Sequence, residues 1–193
     1  MGRPSLKKQR TEEILEAYEA CVIRYGVEGA TLERVAAKAG IARPLIRHHV
    51  GNREDLLLAL TARFQDVSGE QLRELMACLP EKNRVMALID LLFDETYTDA
   101  NMTQLAQALL TAAADRDDLA QYLREWVGKF MDMLNSEISE EYPHARQDEV
   151  EAVVAGIMGV YFNVDSFSTL GRFDRLQSAS KAATLRLLAT LTS

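Results

Sequence analysis

Apolar residues recur with a helical period along almost the whole chain. Between about Gln9 and Tyr25 they fall at Ile14, Tyr18, Cys21, Val22 and Tyr25. This i, i+4, i+7, i+8, i+11 stripe predicts an amphipathic helix, and Gly26 and Gly29 are placed to end it. Next comes a short helix with Thr31 as its N-cap and Leu32, Val35, Ala36 and Ala39 on one face; Gly40 stops it in the left-handed conformation. After the turn "GIA", Pro44 suits the first turn of a third helix, about Arg43 to His49. Val50, Gly51 and Asn52 form a second break. From Arg53 a longer fourth helix places Leu56, Leu57, Leu60 and Phe64 on one face. It continues through Gly69, a possible hinge, with Val67, Leu72 and Leu75, and meets no proline before Pro80.

The remainder also reads as helices. Val85, Leu88, Ile89 and Leu92 stripe a helix over about Arg84 to Thr96. "MTQLAQALLTAAA" precedes a turn at "DRDD", and Leu119, Leu123, Trp126, Phe130, Met133 and Leu134 share a face of the next helix. Pro143 separates this from two last helices, about Arg146 to Leu170 and Arg172 to Leu191. No stretch carries the period-two alternation of a strand, so the expected fold class is all-α. Residues 148–168 have two apolar faces: a bulky one of Val150, Val153, Val154, Ile157, Met158 and Tyr161, and a small-residue stripe of Ala152, Ala155, Gly156 and Gly159. A helix apolar on two sides must be covered on two sides. With Leu176, Ala179, Ala183 and Leu187 of the last helix, this predicts a homodimer closed by a four-helix bundle, two helices from each subunit; the alternative is a central helix in a monomeric bundle.

Charge separates the chain into unlike parts. Its net charge is −7. Residues 1–55 carry ten Lys and Arg against eight Asp and Glu, for +2, whereas the rest carries twelve against twenty-one, for −9. A mildly basic segment on an acidic body suits a polyanion binder, because Lys and Arg placed at phosphates release condensed counterions. The longest apolar runs, such as "VVAGIMGVYF", fall short of the roughly 18 residues of a membrane span, and the basic start has no apolar region behind it, so the sequence reads as cytoplasmic. Cys21 and Cys78 lie in helix-like segments without metal-ligand spacing and read as buried thiols.

Helix, glycine-containing turn and helix over residues 31–49 make a helix-turn-helix, a unit that presents its second helix to the major groove of DNA. Thr31, Arg47, His48, His49 and Arg53 are then donors to backbone or bases. Adjacent on a helix, His48 and His49 point about 100° apart and cannot chelate one metal together. The basic start, "GRPSLKKQR", is open to two roles, a solvated tail or an arm reaching the neighbouring groove.

The stretch "RYGVEGATLERVAAKAGIARPLIRHHVGNREDLLLAL" resembles the DNA-binding domain of the tetracycline-repressor (TetR) family. The resemblance covers about the first third of the chain. It implies an N-terminal three-helix helix-turn-helix domain, residues 1–52, followed by a helical ligand-binding and dimerisation bundle, residues 53–193. By position, it implies phosphate contacts from Thr31, His49 and Arg53 and base readout by Ala42, Arg43, Pro44 and Arg47. Arg47 stands where the family usually has a phosphate-binding Tyr, so both phosphate and base contact are open to it, and Ala42 replaces the usual Ser cap of the reading helix. The expected function is a ligand-responsive repressor that binds a pseudo-palindromic operator as a dimer; the alternative is an architectural DNA-binding dimer without a ligand.

For the effector, Phe93, Tyr97, Met102, Trp126, Phe130, Met133 and Tyr161 are candidate walls of an apolar pocket. Asp90, Asp94 and Tyr97, at i, i+4 and i+7, would favour a cation there; both carboxylates on a solvated face is the alternative. No phosphate loop, nucleophile elbow, HExxH or CxxC occurs, so neither an enzyme nor a cofactor or metal is expected.

Overall fold

The computed structural model describes residues 6–94, 99–171 and 173–192, and among them the regular structure is helical throughout. In chain order the helices are α1 (Leu6–Gly29), α2 (Leu32–Ala39), α3 (Arg43–Val50), α4 (Arg53–Ala77), α5 (Arg84–Leu92), α6 (Ala100–Ala112), α7 (Asp117–Glu141), α8 (Gln147–Ser168) and α9 (Asp174–Ala189). They form two compact units, one of residues Met1–Val67 with Gln104–Leu123, the other of Ser68–Thr103 with Arg124–Ser193. The division falls inside α4, α6 and α7, so each of these helices contributes to both.

In the first unit α1, α2 and α3 pack on one another. Ile14, Tyr18 and Val22 of α1, Val35 of α2, Ile46 of α3 and Leu56, Leu60 and Phe64 of α4 are all fully buried or nearly so. Leu105, Leu109, Leu119 and Leu123 add buried side chains from the later segment. Two expectations for α1 change. The helix leaves helical geometry at Gly26 (φ 72°, ψ 169°), yet a further turn follows and it ends at Gly29. Tyr25 is exposed rather than core, because it sits on the turn just before this kink; the guanidinium of Arg34 lies 4.4 Å from its ring centre. Leu15, one residue from Ile14, is buried instead.

The second unit is built around α8, whose Val150, Val153, Val154, Ile157 and Met158 join Val85, Leu88 and Ile89 of α5, Leu134 and Ile138 of α7 and Leu188 of α9 in one core. By length and composition α8 is apolar enough to cross a membrane, but this face is buried in that core. A Cβ on Gly156 would stand 2.8 Å from Leu187 Cδ1, so the missing side chain lets α9 approach α8. α5 is shorter than the expected 84–96: it ends at Leu92, with Phe93 in a non-helical conformation and Asp94 N–H bonded to Leu91 O. Cys21 is buried but Cys78 is exposed, against expectation, because it follows the last turn of α4 and Leu79 takes the inward position.

Candidate nucleic-acid interface and an apolar cavity

The helix-turn-helix begins at Thr31, whose Oγ1 accepts the N–H of Arg34 at 3.4 Å and so caps α2. Its hydroxyl is exposed at the helix start, where backbone N–H groups and the helix dipole favour an anion. Gly40, at φ 66°, closes α2 in the left-handed conformation, and Ile41 N–H returns to Ala36 O at 3.1 Å. Ala42 enters α3 from an extended conformation with no side-chain cap, as the lost Ser implies, and Pro44 occupies the first turn.

Only Ile46 of α3 is buried. Ala42, Arg43, Pro44, Leu45, Arg47 and His48 are exposed, and His49 is half-buried with Nδ1 buried and unpartnered. α3 is thus held by one apolar anchor and presents nearly all its other side chains outward. Leu45, 46% exposed, is a member of this face that sequence reasoning missed. The signal was available: once Ile46 points inward, its neighbour must point about 100° away. An exposed leucine among donors suits contact with a thymine methyl.

The arginines are not idle in the DNA-free chain. Arg43 pairs across the turn with Glu33, both on the surface. Arg53 Nη2 donates to Val27 O and to Glu28 Oε2, each at 2.8 Å, tying the start of α4 to the end of α1. Arg53 therefore has a structural role besides the predicted phosphate contact, and its Nε is buried without a partner. Arg116 pairs with Glu54 and, at 3.6 Å, with Glu28. The bonds from Arg53 and Arg116 hold the carboxyls of Glu28 and Glu54, respectively, below the usual range. Glu33 is lowered too, first by the α2 backbone and then by Arg43. The start of α4 is capped reciprocally: Asn52 Oδ1 accepts from Glu54 and Asp55 N–H, and Asp55 Oδ2 accepts from Asn52 N–H at 2.8 Å.

The second unit contains a cavity of about 260 Å³. Of the expected walls, Phe93 and Tyr161 line it, with Leu92, Ala100, Val164, Asp165, Phe167, Ser168, Gly171, Phe173, Leu176 and Gln177. Trp126 and Phe130 stand behind, in an aromatic cluster with Tyr161 and Phe162 at ring separations of 5.4–5.8 Å. Met102 and Met133 are partly buried but do not line the cavity, and Tyr97 lies outside the described residues. The carboxylates expected beside the pocket are elsewhere. α5 stops before Asp94, which is exposed, and Asp90 pairs with Lys181 at 2.8 Å on the surface.

The cavity's carboxylate is instead Asp165, whose Oδ1 accepts from Thr103 Oγ1 at 2.9 Å. Burial pushes this carboxyl above its ordinary range, the bond from Thr103 opposing. Burial, with Asp165 nearby, pushes the Tyr161 phenol up to about 12. Gln177 Nε2 donates to Phe93 O at 2.7 Å, holding the residue after α5 against α9. Asp165 lay hidden in the sequence because it follows the apolar run of α8, and nothing local marks it as facing a cavity.

The predicted dimer residues divide. Ala152, Ala155 and Gly159 on α8 and Ala179 on α9 are exposed in the single chain, and Ala183 is partly so. Gly156 and Leu187 face each other within the chain, and Leu176 lines the cavity. Among the described residues no three His, Cys, Asp or Glu side chains gather as a metal site.

A short, outward-facing second helix after a capped first one and a glycine turn is a helix-turn-helix. Residues 14–60 match the family model of bacterial regulatory proteins, tetR family. The chain is 41% identical to the HTH-type transcriptional repressor AcnR of Corynebacterium glutamicum over 63 residues, 31% of this chain and 34% of that protein. The match thus spans about a third of the length of that relative. The fold of the whole chain is similar to that of Salmonella enterica GusR (TM-score 0.74, 15% identity, 97% and 100% of the two chains covered). It is also similar to that of the transcriptional regulator FadR of Bacillus subtilis in complex with stearoyl-CoA (TM-score 0.70, 17% identity, 92% and 97% covered).

Proposed function

We propose that this protein is a cytoplasmic transcriptional repressor that binds a pseudo-palindromic operator as a homodimer and leaves it when a small molecule fills the cavity of the second unit. The observation that carries the reading is α3: one buried anchor, Ile46, with Ala42, Arg43, Pro44, Leu45, Arg47 and His48 exposed on one compact element. The exposed small residues of α8 and α9 support the dimer, since Ala152, Ala155, Gly159 and Ala179 would let a second copy approach closely. The cavity supports an effector over an architectural role. FadR holds stearoyl-CoA on a similar fold. That molecule is a poor fit to this chain, because a cavity of about 260 Å³ with a carboxylate in its wall suits neither its size nor its negative charge.

Two substitutions test the DNA reading, with binding followed across operator variants and salt concentrations. Arg53→Ala should weaken all sequences alike and lower the salt slope by about 1, whereas Arg43→Ala should cost roughly 1–3 kcal/mol mainly at one base position. Equal loss of discrimination for both would refute this division of labour. Coupling to the effector is assigned to α4, a single helix from Arg53 to Ala77 that belongs to both units and runs unbroken through Gly69. Reading helices of a dimer must sit about 34–36 Å apart to enter successive major grooves. An effector that favours another separation releases DNA by population shift. Spin labels on the two α3 helices read this directly: release with an unchanged distance distribution would exclude it.

A further inference from the structure

Asp165 and Ser168 stand one turn apart on α8, and both line the cavity. The two have different surroundings. Asp165 accepts one hydrogen bond from a neutral group, Thr103, and the described lining residues include no Lys or Arg. The Ser168 hydroxyl is buried with no hydrogen-bond partner. Four aromatic residues share this lining: Phe93, which is buried, Tyr161, which is partly buried, and Phe167 and Phe173, whose side chains also reach solvent. A partly buried carboxylate with no countercharge among the described lining residues is less favourable than one in open water. A bound cation relieves this, and aromatic faces attract the same cation through their quadrupoles. At about 260 Å³ the space lies just under the roughly 300 Å³ at the small end of ligand pockets.

We infer that the cavity takes a small organic ammonium, its charged head on the Asp165 carboxylate beside Ser168 and its apolar body against Phe93, Tyr161, Phe167 and Phe173. This deepens the reading of the chain as an effector-responsive regulator and rests on it for its biological consequence, but binding is measurable without DNA.

The test uses the full chain and three probes of one size and shape: 2-phenylethylammonium, the neutral 2-phenylethanol and the anionic phenylacetate. Affinities are read by calorimetry or ligand-observed NMR at constant ionic strength. The ammonium should bind about tenfold more tightly than the alcohol, and phenylacetate most weakly. Asp165→Asn should bring the ammonium down to the alcohol while leaving the alcohol unchanged, and Asp165→Glu should keep the ammonium's advantage. The order of the three probes on the unmodified chain decides the matter even where a variant fails to fold. Equal binding of ammonium and alcohol would mean that the charge of Asp165 is already met within the chain, and would overturn the inference. So would binding of no probe at millimolar concentration, or an ammonium preference that survives Asp165→Asn. The two readings fail separately. A chain that binds no duplex DNA would overturn the regulator while the cavity result stood, and ammonium binding that leaves a DNA complex intact would overturn the effector role alone.

Discussion

The helix-turn-helix and the cavity wall handle charge in opposite ways. In the helix-turn-helix unit, Arg43, Arg53 and Arg116 are matched by Glu33, Glu28 and Glu54; the three carboxylates are more than half exposed and titrate below their ordinary range. In the cavity, Asp165 is partly buried against a neutral threonine and titrates above it. Ion pairs with both partners exposed, as in Arg43–Glu33, are worth about 1 kcal/mol or less, so that arginine is released from its glutamate at small cost. Asp165 has no ion-pair partner of this kind among the described lining residues.

The comparison implies that the reading unit is held by its apolar contacts and not by its ion pairs, and the largest expected effect follows. Ile46→Ala should destabilise the fold by roughly 2–5 kcal/mol, as for large buried aliphatics in general, and abolish DNA binding. Leu45→Ala should leave stability within about 0.5 kcal/mol and weaken DNA binding only. Denaturant unfolding together with operator titration separates them. Comparable loss of stability in both would mean that α3 is not anchored through Ile46 alone.

A second test uses the opposite titrations. Glu28 and Glu54 have lowered folded values, so they contribute stability above their unfolded value of 4.5 that is lost as pH falls through the folded values. Asp165 has a raised folded value, so its ionised form is destabilising above that value, and this cost disappears as pH falls to its unfolded value of 3.8. Over the acid range, Asp165→Asn should therefore raise stability most at the upper end. Glu28→Gln should lower it there, and the difference should vanish below the folded value of Glu28. Stability against pH for the two variants should cross the parent's trend in opposite senses, and trends of the same sign would remove the contrast.

The smallest effect concerns the thiols. A thiol reagent should modify Cys78 at once in the native protein and reach Cys21 only as fast as α1 opens. Equal rates would show that the core of the reading unit is loose.

Much of the reading unit is legible along the chain because its determinants are local. Thr31 caps the helix it begins, Gly40 needs its left-handed conformation whatever surrounds it, and the stripe Leu32, Val35, Ala36 lies within a few residues. The same locality exposes Arg43, Pro44 and Arg47 once the neighbouring Ile46 is buried. Even so, no local pattern reveals that Arg53 reaches back to Val27 and Glu28, because that bond spans some 26 positions. The helices of the second unit are legible for the same reason, and its long apolar stripes on α7 and α8 fall where the period puts them.

The cavity is another matter. Its wall joins residues 92–93 after α5, Ala100, the last turns of α8 and the start of α9, and only packing brings these together. Sequence periodicity put Asp90 and Asp94 on one helical face, but α5 ends at Leu92, and the carboxylate that faces the space is Asp165. Gly156, assigned by its size to a partner helix, is used to admit Leu187 of the same chain. What the sequence by itself determined was the run of helices, their caps and the outward chemistry of α3, since backbone hydrogen bonds and a 3.6-residue period act over a few positions. Which side chains share the cavity, and which carboxylate lines it, only the tertiary structure decided, because burial and desolvation depend on neighbours far away in the chain.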